Sequence, residues 1–146
     1  MVVNLEGVLL EDLPSSLEPM VLGMPADLAL RWVEITNIHG VSLANNHSGD
    51  VGKFGFEDTK RILGAAGVHA AGPNETLEIG QLTLITLSDL AGHRSRGRGL
   101  LEPSALADLV MPDPDRAVVA FVHWGHEYQA MPGAREQQLA LAIEAH

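Results

Sequence analysis

Val41-Ser42-Leu43-Ala44-Asn45-Asn46-His47-Ser48-Gly49-Asp50-Val51-Gly52 is an apolar run that ends abruptly in two amides, an imidazole, a carboxylate and two glycines. Burial accounts for Val41 to Ala44 as part of a strand and for nothing after it. Two readings of the polar half stand side by side at this point. Asn, Ser, Gly and Asp are turn formers, so Gly49-Asp50-Val51-Gly52 can simply reverse the chain. Equally, two asparagines and a histidine at a strand end supply amide oxygens, amide donors and a group that titrates near neutral pH.

Outward from this stretch, strands and helices alternate. Ile38 to Ala44 forms the buried strand itself. Before it, Leu28, Trp32 and Ile35 recur at helical spacing from Ala26, opposite an Asp27–Arg31 ion pair on the outer face. After Gly55, a second helix is expected with Phe56, Ile62, Leu63 and Ala66 on one face. Glu57 and Asp58 stand in its first turn, and Gly67 is its stop. Met1 to Leu5 reads as a short strand that delivers Glu6, whereas Leu9 to Met24, with Pro14, Pro19 and Gly23, reads as an irregular excursion.

Val68 to Ala71 makes another short strand, and Leu77 to Ile85 a pair of antiparallel strands around Gly80-Gln81. His93-Arg94-Ser95-Arg96-Gly97-Arg98-Gly99 is a basic cluster, read either as a solvated loop or as an anion-binding flap. Pro103 opens a helix carrying Leu106, Leu109 and Val110. Ala117 to Val122 is a valine-rich strand of the kind buried on both faces, and it runs directly into His123-Trp124-Gly125-His126-Glu127-Tyr128. The last helix begins near Ala134, with Leu139, Ala142 and Ile143 inward and Arg135, Glu136 and Gln138 outward.

The bulk properties bound the function. A chain of 146 residues with 46% hydrophobic content suits one domain, 1–146, with a real core. Its termini look cut from within a longer fold. A formal charge of -10 repels nucleic acid and anionic membrane surfaces. With no cysteine, disulfides and thiolate zinc sites are excluded, so any metal must be held by His, Asp, Glu or Asn. There is no apolar run of membrane-spanning length and no signal-peptide pattern at the start.

Three strands therefore end in polar groups: Glu6, then Asn45-Asn46-His47, then His123. In layered α/β folds, ligands bind at the carboxyl ends of strands, so these groups are expected to converge. Carboxylate and amide oxygens with imidazole nitrogens suit Zn²⁺, Mn²⁺ or Fe²⁺ better than Ca²⁺. His126 and Glu127 add a further base and carboxylate beside Gly125.

Asn4-Leu5-Glu6-Gly7, then Leu43-Ala44-Asn45-Asn46-His47 with Asp50-x-Gly52 and Gly55, then His123-Trp124-Gly125-x-Glu127-Tyr128 followed by Pro132, resemble the successive signatures of the bacterial capsule-synthesis family called CapA or PGA-cap. That family is associated with poly-γ-glutamate and is similar to the calcineurin-like metallophosphoesterases. The resemblance implies an α/β fold of layered αββα sandwich type, incomplete here, because the family's initial Gly-Asp and final His segments are missing. It implies Glu6, Asn46 and His123 as ligands of a divalent metal, Mn, Zn or Fe, with two ions in the full pattern. His47 would be the catalytic group that protonates or stabilises the leaving group. Asn45, Glu127 and Tyr128 would be supporting or substrate contacts, and His126 stands at a commonly apolar position as a substitute ligand or an incidental residue.

The expected activity is hydrolysis or transfer at a phosphoester or γ-glutamyl amide of a small molecule or polyglutamate. The rival expectation is a non-catalytic scaffold or binding component of capsule-polymer synthesis and export. The resemblance places either at the cell envelope or extracellular face.

Overall fold

The computed structural model describes residues 1–90, 101 and 115–145. The basic cluster of residues 93–99 and the helix expected after Pro103 lie outside them. The elements are β1 (Val2–Asn4), β2 (Val8–Leu10), β3 (Gly23–Pro25), α1 (Ala26–Thr36), β4 (Gly40–Ser42), α2 (Gly52–Ala65), β5 (His69–Ala71), β6 (Glu75–Ile79), β7 (Leu82–Ser88), β8 (Ala117–His123) and α3 (Ala134–Glu144).

Two three-stranded sheets carry the architecture. The first, ordered β1-β4-β5, is wholly parallel. The second, ordered β6-β7-β8, joins an antiparallel β6–β7 hairpin to a parallel β7–β8 pair. Period-two alternation assigns each strand's side chains to two layers. Val3 and Val41 turn to one face of the first sheet, where Ala26 and Ala29 of α1 and Ile62 and Leu63 of α2 cover them. Val2 and Ala71 turn to the other face and meet Leu77, Leu84 and Phe121 of the second sheet. On that sheet's far side, Ile85, Leu87, Ala120 and Val122 pack against Leu139, Ala142 and Ile143 of α3. The order of layers is helix, sheet, sheet, helix, an α/β sandwich in agreement with the sequence reading. Gly40 lets the sheets approach, since a Cβ there would stand 2.9 Å from the Ile79 side chain.

Several local expectations are corrected. The excursion after Glu6 is irregular only in its middle, because its two ends pair as a parallel β2–β3 ribbon. Gly7 makes this possible at φ 134°, where a Cβ would meet the Leu22 carbonyl oxygen at 2.8 Å. In α1 the packed face is Ala26, Ala29, Leu30 and Val33. Leu28, Trp32 and Ile35 are exposed instead, and no ion pair joins Asp27 to Arg31 among the described residues. Small alanines let the helix lie close to its sheet, which turns the bulkier row away.

Helix α2 starts at Gly52, at φ 76°, earlier than expected, so Glu57 and Asp58 fall beyond its first turn. Ala66 is exposed, while Gly67, at φ 76°, ends the helix as read. Val118 and Val119 of β8 are open to solvent, because β7 is that strand's one neighbour among the described residues.

In α3, Glu136 is buried rather than outward, while Arg135 is exposed as expected but reaches back to the sheet. The Arg135 guanidinium grips Asp89 with both of its forks, Nε to Oδ2 at 2.7 Å and Nη2 to Oδ1, and Nη2 also reaches the Leu101 carbonyl. Asp89 also accepts the Leu101 N–H, and its own N–H bonds the His123 carbonyl. This carboxylate therefore ties α3 to the ends of β7 and β8. Arg135→Ala leaves a buried charge short of its main partner and should cost about 2–3 kcal/mol, at the low end for a broken buried pair because the guanidinium is partly solvated. Chemical denaturation of the two proteins, with an unchanged slope and a lowered midpoint for the variant, is the check.

Candidate functional site

The turn after β4 is built by its own side chains. Asn45 Oδ1 accepts the His47 N–H at 3.0 Å, an Asx turn, and the Ser48 hydroxyl donates to the Asn45 carbonyl at 3.1 Å. The Asn45 amide donates to Asn4 Oδ1 at 3.0 Å and to the Leu5 carbonyl at 2.7 Å, which fixes the β1 end beside the β4 end. Asn45 is thus a structural support, and it sets the Cα positions of both Glu6 and Asn46. The turn reading and the site reading of this stretch are compatible, since different residues serve each.

His47 is buried, and its ring is held from behind. Nδ1 lies 2.8 Å from Asp50 Oδ2, and the same oxygen accepts the Leu22 backbone N–H at 2.7 Å. A carboxylate can only accept, so Nδ1 carries the proton and Nε2 is directed forward. Forward of it, Nε2 is 3.9 Å from Glu6 Oε1. From the third strand, His123 Nε2 lies 4.0 Å from that same Glu6 oxygen and 2.8 Å from Asn46 Oδ1. The structure therefore brings Glu6, Asn46, His47 and His123 together from β1, β4 and β8.

Glu6, Asn46 and His123 open into a cleft of about 610 Å³ that is also lined by the segment after β8 and by α3. Gly125, at φ 100°, swings that segment round so that Trp124, His126 and Glu127 line the cleft. His126 is largely exposed, with Nε2 3.9 Å from Glu136 Oε1. Tyr128 is not brought to the site: at φ 63° it projects fully into solvent and is not among the lining residues.

Two participants were not singled out from sequence. Asp50 had a signal, its position three residues after His47. Glu136 had none, because helical spacing placed it on the outer face.

The donor set suits a borderline divalent ion. Adjacent ligand atoms on one ion stand roughly 3 Å apart for bonds of about 2.1 Å, and Asn46 Oδ1 and His123 Nε2 already have that separation at 2.8 Å. Glu6 and His47 are about an ångström wider, and no group of three His, Asp or Glu side chains forms a ready cage among the described residues. Without a metal, the His123 Nε2–H donates to Asn46, so ligation requires that proton to move to Nδ1.

The chain matches the family of bacterial capsule synthesis proteins, PGA_cap, over residues 1–91, and it belongs to that family. The match includes Glu6, Asn46, His47 and Asp50 and ends before His123, whose place in the site rests on the geometry above. No curated protein and no solved structure matches the chain.

Burial pushes the His123 imidazole below the ordinary histidine value of 6.5, with Glu6 pulling the other way and His47 adding to the depression. A histidine with a depressed folded pKa binds fewer protons than in the unfolded chain. Its contribution to stability is therefore present above 6.5 and is lost as pH falls towards the folded value. In metal-free protein, the His123 ring resonances should titrate with a midpoint below 6.5, and Glu6→Gln should lower it further. A midpoint at or above 6.5, followed by NMR, contradicts this environment.

Proposed function

We propose that this capsule-synthesis family member is a metal-dependent hydrolase-like domain of the poly-γ-glutamate type, acting on a phosphoester or a γ-glutamyl amide. The observation that carries the reading is the meeting of Glu6, Asn46, His47 and His123 from three strand ends, with Glu6, Asn46 and His123 lining a single cleft and the buried His47 next to Glu6. Glu6, Asn46 and His123 are assigned to hold Mn²⁺, Zn²⁺ or Fe²⁺, with a second ion as in the fuller pattern. When bound, such an ion polarises a phosphoryl or acyl oxygen and lowers the pKa of a water.

The chain's own residues supply the rest. In the imidazolium form, His47 donates its Nδ1–H to Asp50 Oδ2 and presents its Nε2 proton towards Glu6, which suits it to protonate a leaving group. Asp50 holds the ring orientation through this and supports the positive ring as it forms. Asn46 contributes an oxygen without adding negative charge. That matters because Glu6, Glu127 and Glu136 line the cleft, while no Lys or Arg does among the described residues. An anionic substrate is held here only if a cation offsets those carboxylates, which supports the metal-dependent reading over a metal-free one. We place the protein at the cell envelope or its outer face, in keeping with its family. No helix among the described residues is long and apolar enough to cross a membrane.

A second reading, a non-catalytic scaffold or binding component of capsule-polymer synthesis and export, is favoured by the exposed Leu28, Trp32 and Ile35 of α1, which the fold does not use. Metal content and turnover of a p-nitrophenyl phosphodiester and a γ-glutamyl anilide, with and without Mn²⁺ or Zn²⁺, separate the two. The hydrolase reading expects metal-dependent turnover that falls on the order of 10²–10⁴-fold in His47→Ala. No metal uptake, with His47→Ala and His123→Ala indistinguishable from the parent, would sustain the scaffold instead.

A further inference from the structure

The cleft lined by Glu6 and His123 is also lined by a carboxylate that is short of hydrogen-bond partners among the described residues. The Glu136 side chain, in the first turn of α3, is only 8% exposed. Among the described residues its Oε2 is buried without a hydrogen-bond partner, and its Oε1 is 3.9 Å from His126 Nε2, too far for a hydrogen bond. Gly133 makes room for it: a Cβ on that residue would stand 2.7 Å from Oε2. A carboxylate taken out of water normally gains several hydrogen bonds in exchange, and leaving one short is costly. The N-terminal end of α3 favours negative charge there, but a dipole is not a donor.

The surroundings indicate which donor is missing. Trp124, Met131, Pro132 and Ala140 line the same cleft and present apolar surface. A hydrated metal ion fits such walls poorly, since among the described residues no group of three His, Asp or Glu forms around Glu136, and the nearby His126 ring is 68% exposed. A primary ammonium on an alkyl stem fits better. It has three donors, enough for the carboxylate and a neutral His126 Nε2 together, while the stem lies on Trp124 and Met131.

We propose that Glu136 and His126 form a subsite for an organic ammonium group, so that the cleft lined by Glu6 and His123 binds substrates that also carry a primary amine. The subsite deepens the hydrolase reading by naming a feature of its substrate, and it rests on that reading only for what happens at Glu6 and His123. Ammonium binding itself needs neither metal nor turnover.

The test titrates the metal-free chain with n-hexylammonium chloride and with n-hexanol, followed by calorimetry and by the Trp124 indole and Met131 methyl NMR signals. The expected result is saturable hexylammonium binding at least tenfold tighter than hexanol, with both reporter signals shifting. Glu136→Gln, which conserves size, should remove that tenfold preference while hexanol binding stays as it was. Equal affinity for the two ligands, or no shift of Trp124 and Met131 in the parent protein, overturns the subsite without any variant being needed. Loss of binding in Glu6→Gln but not in Glu136→Gln also overturns it, by moving the ammonium to Glu6. Absence of metal-dependent turnover would overturn the hydrolase reading and leave this binding result standing.

Discussion

One carboxylate oxygen, Asp50 Oδ2, accepts a ring proton from His47 and a backbone N–H from Leu22. The first bond aims the imidazole. The second fastens the returning end of the excursion that separates β2 from β3. Asp50 is only 2% exposed, so these bonds replace its water, and each is charge-assisted. Through Leu22 the constraint reaches Gly7, whose neighbour Val8 bonds the Leu22 carbonyl, and so the segment that presents Glu6. A single buried acceptor thereby couples the position of an acidic group on one strand end to the orientation of a histidine on another.

The same economy of parts appears at the third strand. Asp89 receives Arg135 and fixes α3 to the end of β7, while its N–H bonds the His123 carbonyl. Two residues that line the cleft, His123 and Glu136, are thus positioned from one junction. The layered sandwich supplies the rigidity behind them, and each strand end contributes only one or two residues to the chemistry. In this arrangement local turns set side-chain direction, and the sheets set distance.

Much of this was legible in the sequence where periodicity and punctuation were strong. The apolar run into Asn45-Asn46-His47, the Gly80-Gln81 hairpin, the Gly67 helix stop and the strand leading to His123 all read directly, and with them the α/β layering. What was not legible depended on tertiary distance. Helical spacing alone made Leu28, Trp32 and Ile35 look like the buried face of α1, because apolar bulk was the only cue; the close approach permitted by Ala26 and Ala29 decided otherwise. Glu136 looked like part of a solvated face for the same reason, and Arg135, which is exposed as expected, gave no hint of Asp89, because Gly133 and Asp89 become their neighbours only after folding. Asp50 was visible as part of a turn, and its second role emerged once Leu22 was found beside it.

The central proposal is that Glu6, Asn46 and His123 hold a cation beside His47, and it is tested most directly by titrating substoichiometric Mn²⁺ into ¹⁵N-histidine-labelled protein. The account predicts that the His123 and His47 ring signals broaden first and together, well before those of His39 and His69. Broadening that begins at His39 or His69, or that affects all the rings equally, would contradict it.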